Sequence, residues 1–167
     1  MKLAERVARL EDREDILALI AAYARAADSR NSPTLMKKLF HPDAVWEANG
    51  FGRISGRKAI LAHLAAIGQV QIVWSLHYMV APEVAISRNR RTASCSWYLW
   101  ELAQIAPPGE HGASPGEAAG MAHWIGGLYC GQLARRRNRW CFTQVELDVR
   151  LLHANGERWQ PIRGVPA

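Results

Sequence analysis

The chain has 167 residues, of which 49% are hydrophobic and 22% charged, with a formal net charge of +6. That length suits one domain over 1–167, large enough to bury a core without a metal or disulfide staple, and the composition excludes a disordered or fibrous protein. No apolar run approaches the roughly 20 residues of a membrane span, and the N-terminal stretch MKLAERVARLEDRED has no apolar export core; the expected compartment is the cytoplasm. Cys95, Cys130 and Cys141 are widely spaced with no CxxC pair, which points to reduced, buried thiols rather than a disulfide framework or zinc site.

From about 11 to 31 the residues Ile16, Leu17, Leu19, Ile20, Tyr23, Ala24 and Ala27 fill one arc of a helical wheel, predicting an amphipathic helix. Ser32-Pro33 opens a second, short helix over TLMKKLF, with Ser32 as N-cap and Pro33 at the first helical position. Residues 44–49, AVWEAN, read as a strand, and Gly50, Gly52 and Gly56 break the chain after it. A third helix is expected over 57–67, stopped by Gly68. The period then changes. Residues 70–86, 92–105, 123–135 and 139–153 are rich in Val, Ile, Trp, Tyr, Thr and Leu and predict four long strands. SRNRR and RRRNR form the turns between them, and the Pro- and Gly-rich segment 106–121 reads as an irregular excursion. Helices followed by an antiparallel meander predict an α+β fold. Strands with aromatics on both faces predict a sheet covered on one side by the helices and on the other by a second subunit.

Two residues stand out chemically. Asp28 lies at the edge of the apolar arc and in the last helical turn, where the macrodipole disfavours a negative charge. It is either a solvated partner of Arg25 or Arg30, or an acid with another task. His77 lies mid-strand in IVWSLHYMVAP, on the face of Val73, Ser75 and Met79. A histidine there needs partners for its nitrogens, as a satisfied core residue or as a catalytic one. Paired, the carboxylate would fix the imidazole tautomer and leave the second nitrogen as a general base for elimination, dehydration or isomerisation. No HxH, HExxH, GxGxxG, GxxxxGK[ST] or GxSxG pattern is present, so neither a metal, a nucleotide nor a nucleophilic serine is indicated. Trp46, Trp74, Trp97, Trp100, Trp124 and Trp140 fall on predicted strands, as core, interface or pocket walls. Arg88, Arg90, Arg91, Arg135, Arg136, Arg137 and Arg139 sit at two turns on one end of the meander. Without interleaved aromatics they read as solvated turns, and nucleic-acid binding is disfavoured.

The order DREDILALIAAYARAAD, LFHPDAVWE, GRKAILAHL, SLHYMV and GLYCGQLARRRNRWCFTQVEL resembles the SnoaL-like branch of the nuclear transport factor 2-like superfamily, over nearly the whole chain. The resemblance implies a cone-shaped half-barrel: a curved, mixed, largely antiparallel sheet packed on three N-terminal helices, commonly a dimer or trimer. Relatives of the pattern, such as scytalone dehydratase and hexachlorocyclohexane dehydrochlorinase, use an aspartate on the first helix and a histidine on the long strand, and Asp28 and His77 fall at those places. The expected function is thus a cofactor-independent lyase or isomerase acting on a small apolar ring compound. His77 would be the base and Asp28 its orienting partner, with Tyr23, Trp46, Trp97 and Tyr129 as cavity walls. No cofactor or metal and no membrane association is expected. The alternative is a non-catalytic ligand-binding or structural module of the same fold.

Overall fold

The first helix starts earlier than its hydrophobic period suggests. In the computed structural model, which describes residues 2–106 and 120–155, α1 spans Leu3–Asp28. Ile16, Leu19, Ile20, Tyr23, Ala26 and Ala27 are buried, and Leu17 and Ala24 at the margin of the arc are half-buried. Arg30 and Asn31 then take positive φ angles of 56° and 54°, which turns the chain sharply at the helix end. The second helix, α2, is a single turn, Pro33–Met36, shorter than expected because Leu39 and Phe40 are drawn into the core. Phe40 opens β1 (Phe40–Ala48). This strand includes His41 and Pro42, and its register is irregular between Phe40 and Val45, where a proline without an N–H is tolerated. The glycine-broken stretch contains a short strand missed in the sequence, β2 (Gly52–Ser55).

Helix α3 spans Arg57–Ala66 and does not stop at Gly68; it continues as a π-helical turn over Ile67–Gln71. The carbonyl of Gly68 accepts Arg30 Nε–H at 3.0 Å, and a Cβ at this position would lie 2.4 Å from the Arg30 carbonyl oxygen. Only glycine lets this turn lie against the end of α1. Four long strands follow: β3 (Ile72–Ile86), β4 (Thr92–Ile105), β5 (Met121–Arg136) and β6 (Arg139–Ala154). Residues 107–119, most of the proline-glycine excursion, lie outside the described residues, as do His111 and Trp159.

The sheet order is β2-β1-β6-β5-β4-β3. Every pairing is antiparallel except β1 with β6. The sheet is therefore mixed and open, with β2 and β3 as its edges, and the fold is the α+β half-barrel expected. Register shifts at Val80/Glu83 in β3 and at Thr143 and Arg150 in β6 mark bulges that bend the long strands over the helices. Alternation along β3 holds: Val73 and Ser75 are buried, while Leu76, Tyr78 and Val80 are exposed on the outer face. Tyr98, Trp100 and Leu151 extend that exposed apolar face. Of the three thiols only Cys95 is buried; Cys130 is exposed and Cys141 half-buried.

The two arginine-rich turns share one end of the sheet, yet two of their arginines do not act as a free basic edge. Asp12, one turn before Ile16 on the buried stripe, is 1% exposed. It accepts hydrogen bonds from Arg90 Nε, from Arg135 Nη1 at 2.7 Å and from Trp140 Nε1 at 3.3 Å. Arg9 adds bonds to the Ile86 and Ser87 carbonyls. These contacts tie the first half of α1 to both hairpin turns. Burial pushes the Asp12 carboxyl up, but the bonds from Arg90 and Trp140 and the charges of Arg135 and Arg90 outweigh it, and the group lies below its ordinary value. Its contribution to stability is therefore present above the unfolded carboxyl value and lost as pH falls through the folded one. Asp12→Ala is expected to cost about 2–3 kcal/mol, the scale of hydrogen bonds to a charged group, measured by urea unfolding at neutral pH, with the deficit shrinking in acid.

Candidate active site

The last turn of α1 meets the middle of β3. Because β3 is an edge strand, alternate backbone N–H groups on its outer side have no strand to bond. The His77 N–H is one of these, and it donates to Asp28 Oδ1 at 2.9 Å. The imidazole Nδ1 lies 2.7 Å from the same oxygen. Asp28 thus caps the strand and holds the ring at once, with Nδ1–H as the donor, which leaves Nε2 as the basic nitrogen. Neither Arg25 nor Arg30 is its hydrogen-bond partner; Arg30 instead bonds the Gly68 and Gln69 carbonyls.

The second nitrogen is not left to solvent. A backbone N–H that points away from β4 makes His77 and Glu101 a non-hydrogen-bonded cross-strand pair, whose side chains stand close. His77 Nε2 lies 3.4 Å from Glu101 Oε2. Glu101 is 4% exposed, and its other oxygen, Oε1, has no hydrogen-bond partner among the described residues. Burial pushes its carboxyl above the ordinary range, with Asp28 adding to the rise and the His77 charge opposing it. Burial alone would lower the His77 value, but the Glu101 and Asp28 charges and the Asp28 hydrogen bond raise it. The two acids raise the proton affinity of the imidazole and so make Nε2 a stronger base.

His77 and Glu101 form one wall of a narrow cavity between the helices and the concave sheet face, with about 480 Å³ of unfilled space counting its mouth. Tyr23, Trp46, His77, Glu101 and Tyr129 line it, among apolar residues such as Leu64 and Ile125. Trp46 Nε1–H donates to the Tyr23 hydroxyl at 3.0 Å. Burial pushes the Tyr23 phenol up to about 12, against the hydrogen bonds with Trp46 and Tyr129, so it stays neutral and keeps a proton to donate. Trp97 is not among the lining residues. It stacks on Tyr129 at 5.0 Å between ring centroids, one layer behind, and its indole N–H contacts Met79 Sδ at 3.0 Å. Asp28 and Glu101 approach opposite ring nitrogens, so the three cannot converge on one ion, and no other metal-ligating group of three forms among the described residues.

Glu101 is the residue that sequence reasoning missed. The signal was present: in SWYLWELAQI it falls in phase with Trp97, Leu99 and Ala103, an acid on the buried face of an apolar strand. Asp12 carries the same signal on α1.

A SnoaL-like domain profile matches residues 8–146, and the chain belongs to that family. No curated protein sequence matches it. Among solved structures it is similar to hexachlorocyclohexane dehydrochlorinase type 3 from Novosphingobium barchaimii, with 16% identity, a TM-score of 0.78, and 94% of this chain and 99% of that chain covered. It is similar to a proposed scytalone dehydratase from Novosphingobium aromaticivorans, with 17% identity, a TM-score of 0.70, and 95% and 97% covered. An NTF2-like protein of cystatin-like fold from Novosphingobium aromaticivorans aligns at 24% identity and a TM-score of 0.64 over 89% and 88%. At these identities the likeness is one of fold.

Because Glu101 binds its proton more tightly folded than unfolded, its contribution is full below the unfolded carboxyl value of about 4.3. It is lost as pH rises through the higher folded value. Glu101→Gln is therefore expected to fold more stably than the parent at neutral pH and to lose that advantage in acid, as read by urea unfolding across a pH series.

Proposed function

We propose that this protein is a cofactor-independent lyase or isomerase of dehydratase type, acting on a small, largely apolar ring compound. The contact of Asp28 with His77, a residue on the wall of an open-mouthed aromatic cavity, carries this reading. His77 Nε2 takes a proton from a substrate carbon, and Asp28 holds the ring and stabilises the imidazolium that forms. Tyr23, already accepting from Trp46, donates a hydrogen bond to a substrate oxygen, and Tyr129 and Trp46 form the walls. The family and the dehydratase and dehydrochlorinase folds it resembles support the reaction class.

His77→Ala is expected to reduce turnover at least about a hundredfold, the low end of general-base contributions. Asp28→Asn is expected to reduce it less and to shift the acidic limb of the pH profile to lower pH, since Asp28 raises the His77 value. An elimination screen on hydroxylated and halogenated rings, followed by these variants, tests the reading; a fully active His77→Ala protein refutes it. The exposed aromatic face of β3 and β4 fits a second copy of this chain. Trp100→Glu is then expected to shift sedimentation towards the monomer without loss of helical signal.

A further inference from the structure

Two carboxylates are more than a base requires. Asp28 accounts for the orientation of His77 through two hydrogen bonds. Glu101 adds nothing to that orientation, since it sits on the opposite nitrogen at a distance too long for a firm bond. A nearly fully buried carboxyl with one oxygen unpartnered is costly unless it is protonated or meets a ligand. That oxygen belongs to a residue on the cavity wall, beside the basic nitrogen.

We infer that Glu101 is the second proton-carrying group of this site, giving its proton to a departing oxygen, and that the substrate is a neutral alcohol that loses water. The inference rests on the lyase reading and narrows it. His77 Nε2 takes the proton from carbon, and the C–H electron pair becomes the new C=C bond. The C–O bond breaks with its pair remaining on oxygen, which takes the Glu101 proton and leaves as water. The imidazolium then returns its proton to the Glu101 carboxylate, and the site is restored.

Charge decides between leaving groups. A halide departs as an anion and needs no proton, but it needs somewhere favourable to go. Among the described residues the cavity lining contains no Lys or Arg; Glu101 stands beside the basic nitrogen, and Asp28 lies on the far side of the imidazole. An anion forming there meets low-dielectric walls and no fixed cation among the described residues, whereas water leaves neutral. Hydroxide is too basic to depart unprotonated, so an acid beside the base is what dehydration demands. The groups facing Glu101 are His77 on β3, Asp28 and Tyr23 on α1, and Tyr129 on β5; none is a fixed cation that would keep it ionised without His77.

The test has two arms. Carboxyl-carbon NMR of the glutamate-labelled protein, with the Glu101 signal assigned by its loss in Glu101→Gln, follows its ionisation. Glu101 is expected to remain protonated after the surface glutamates have ionised; titration together with them overturns the inference without touching the lyase reading. The second arm compares elimination from β-hydroxycyclohexanone and β-chlorocyclohexanone, then from a wider set of ring alcohols and their chloro counterparts. Glu101→Gln is expected to slow alcohol elimination about a hundredfold, on the scale of general-acid contributions, and to lower the alcohol-to-chloride rate ratio at least about tenfold. An equal loss on both substrates assigns Glu101 to positioning and overturns the inference. If the parent protein eliminates neither class, the lyase reading fails, and the leaving-group role fails with it.

Discussion

One carboxylate oxygen organises the centre of this molecule. Asp28 Oδ1 receives the backbone N–H and faces the ring Nδ1 of the same residue, His77. The first bond meets the need of an edge strand, whose outward N–H groups have no strand partner. The second fixes the tautomer and rotation of the imidazole. Because the same oxygen does both, the end of α1, the middle of β3 and the direction of the basic nitrogen are set together. Register then places Glu101 opposite, and sheet curvature closes Tyr23, Trp46 and Tyr129 around the remaining side.

Asp12 and Asp28 of α1 and Glu101 of β4 show three solutions to one electrostatic problem. Asp12 is balanced by two guanidiniums and an indole N–H, and it ties the helix to the sheet. Asp28 is balanced by two N–H groups of one histidine. Glu101 has only the far side of that imidazole, and its proton is held more tightly than usual. An acid satisfied by fixed cations stabilises a fold; an acid with one titratable neighbour has a proton to move. The distinction lies in the partners, not in burial, which is nearly complete for Asp12 and Glu101 alike.

Membership of the SnoaL-like family accounts for the frame, and folds of this kind carry several chemistries. What separates them is the set of groups that project into the cone. Among the described residues these are a histidine between two acids, a phenol that accepts from an indole, and apolar walls without a cation. A site so composed suits neutral substrates and proton transfer.

Much of this was legible in the residues. The apolar stripe of α1, the change of period at 70, the alternation along β3 and the pairing of Asp28 with His77 follow from local spacing and the family pattern. Local spacing is less informative where a residue's environment comes from another element. Gly68 looks like a helix stop, yet its role is close approach to Arg30. Two arginines of the turns look solvated, yet they bond Asp12. Trp97 looks like a wall residue, yet Tyr129 stands in front of it. Glu101 was in phase with a buried face, but only the β3–β4 register puts it against Nε2. The sequence by itself determined the elements, their buried faces and the candidate base, because these depend on neighbours a few positions away. The tertiary structure decided which acids are satisfied and which keep a mobile proton, because that depends on charges brought together from strands and helices far apart in the chain.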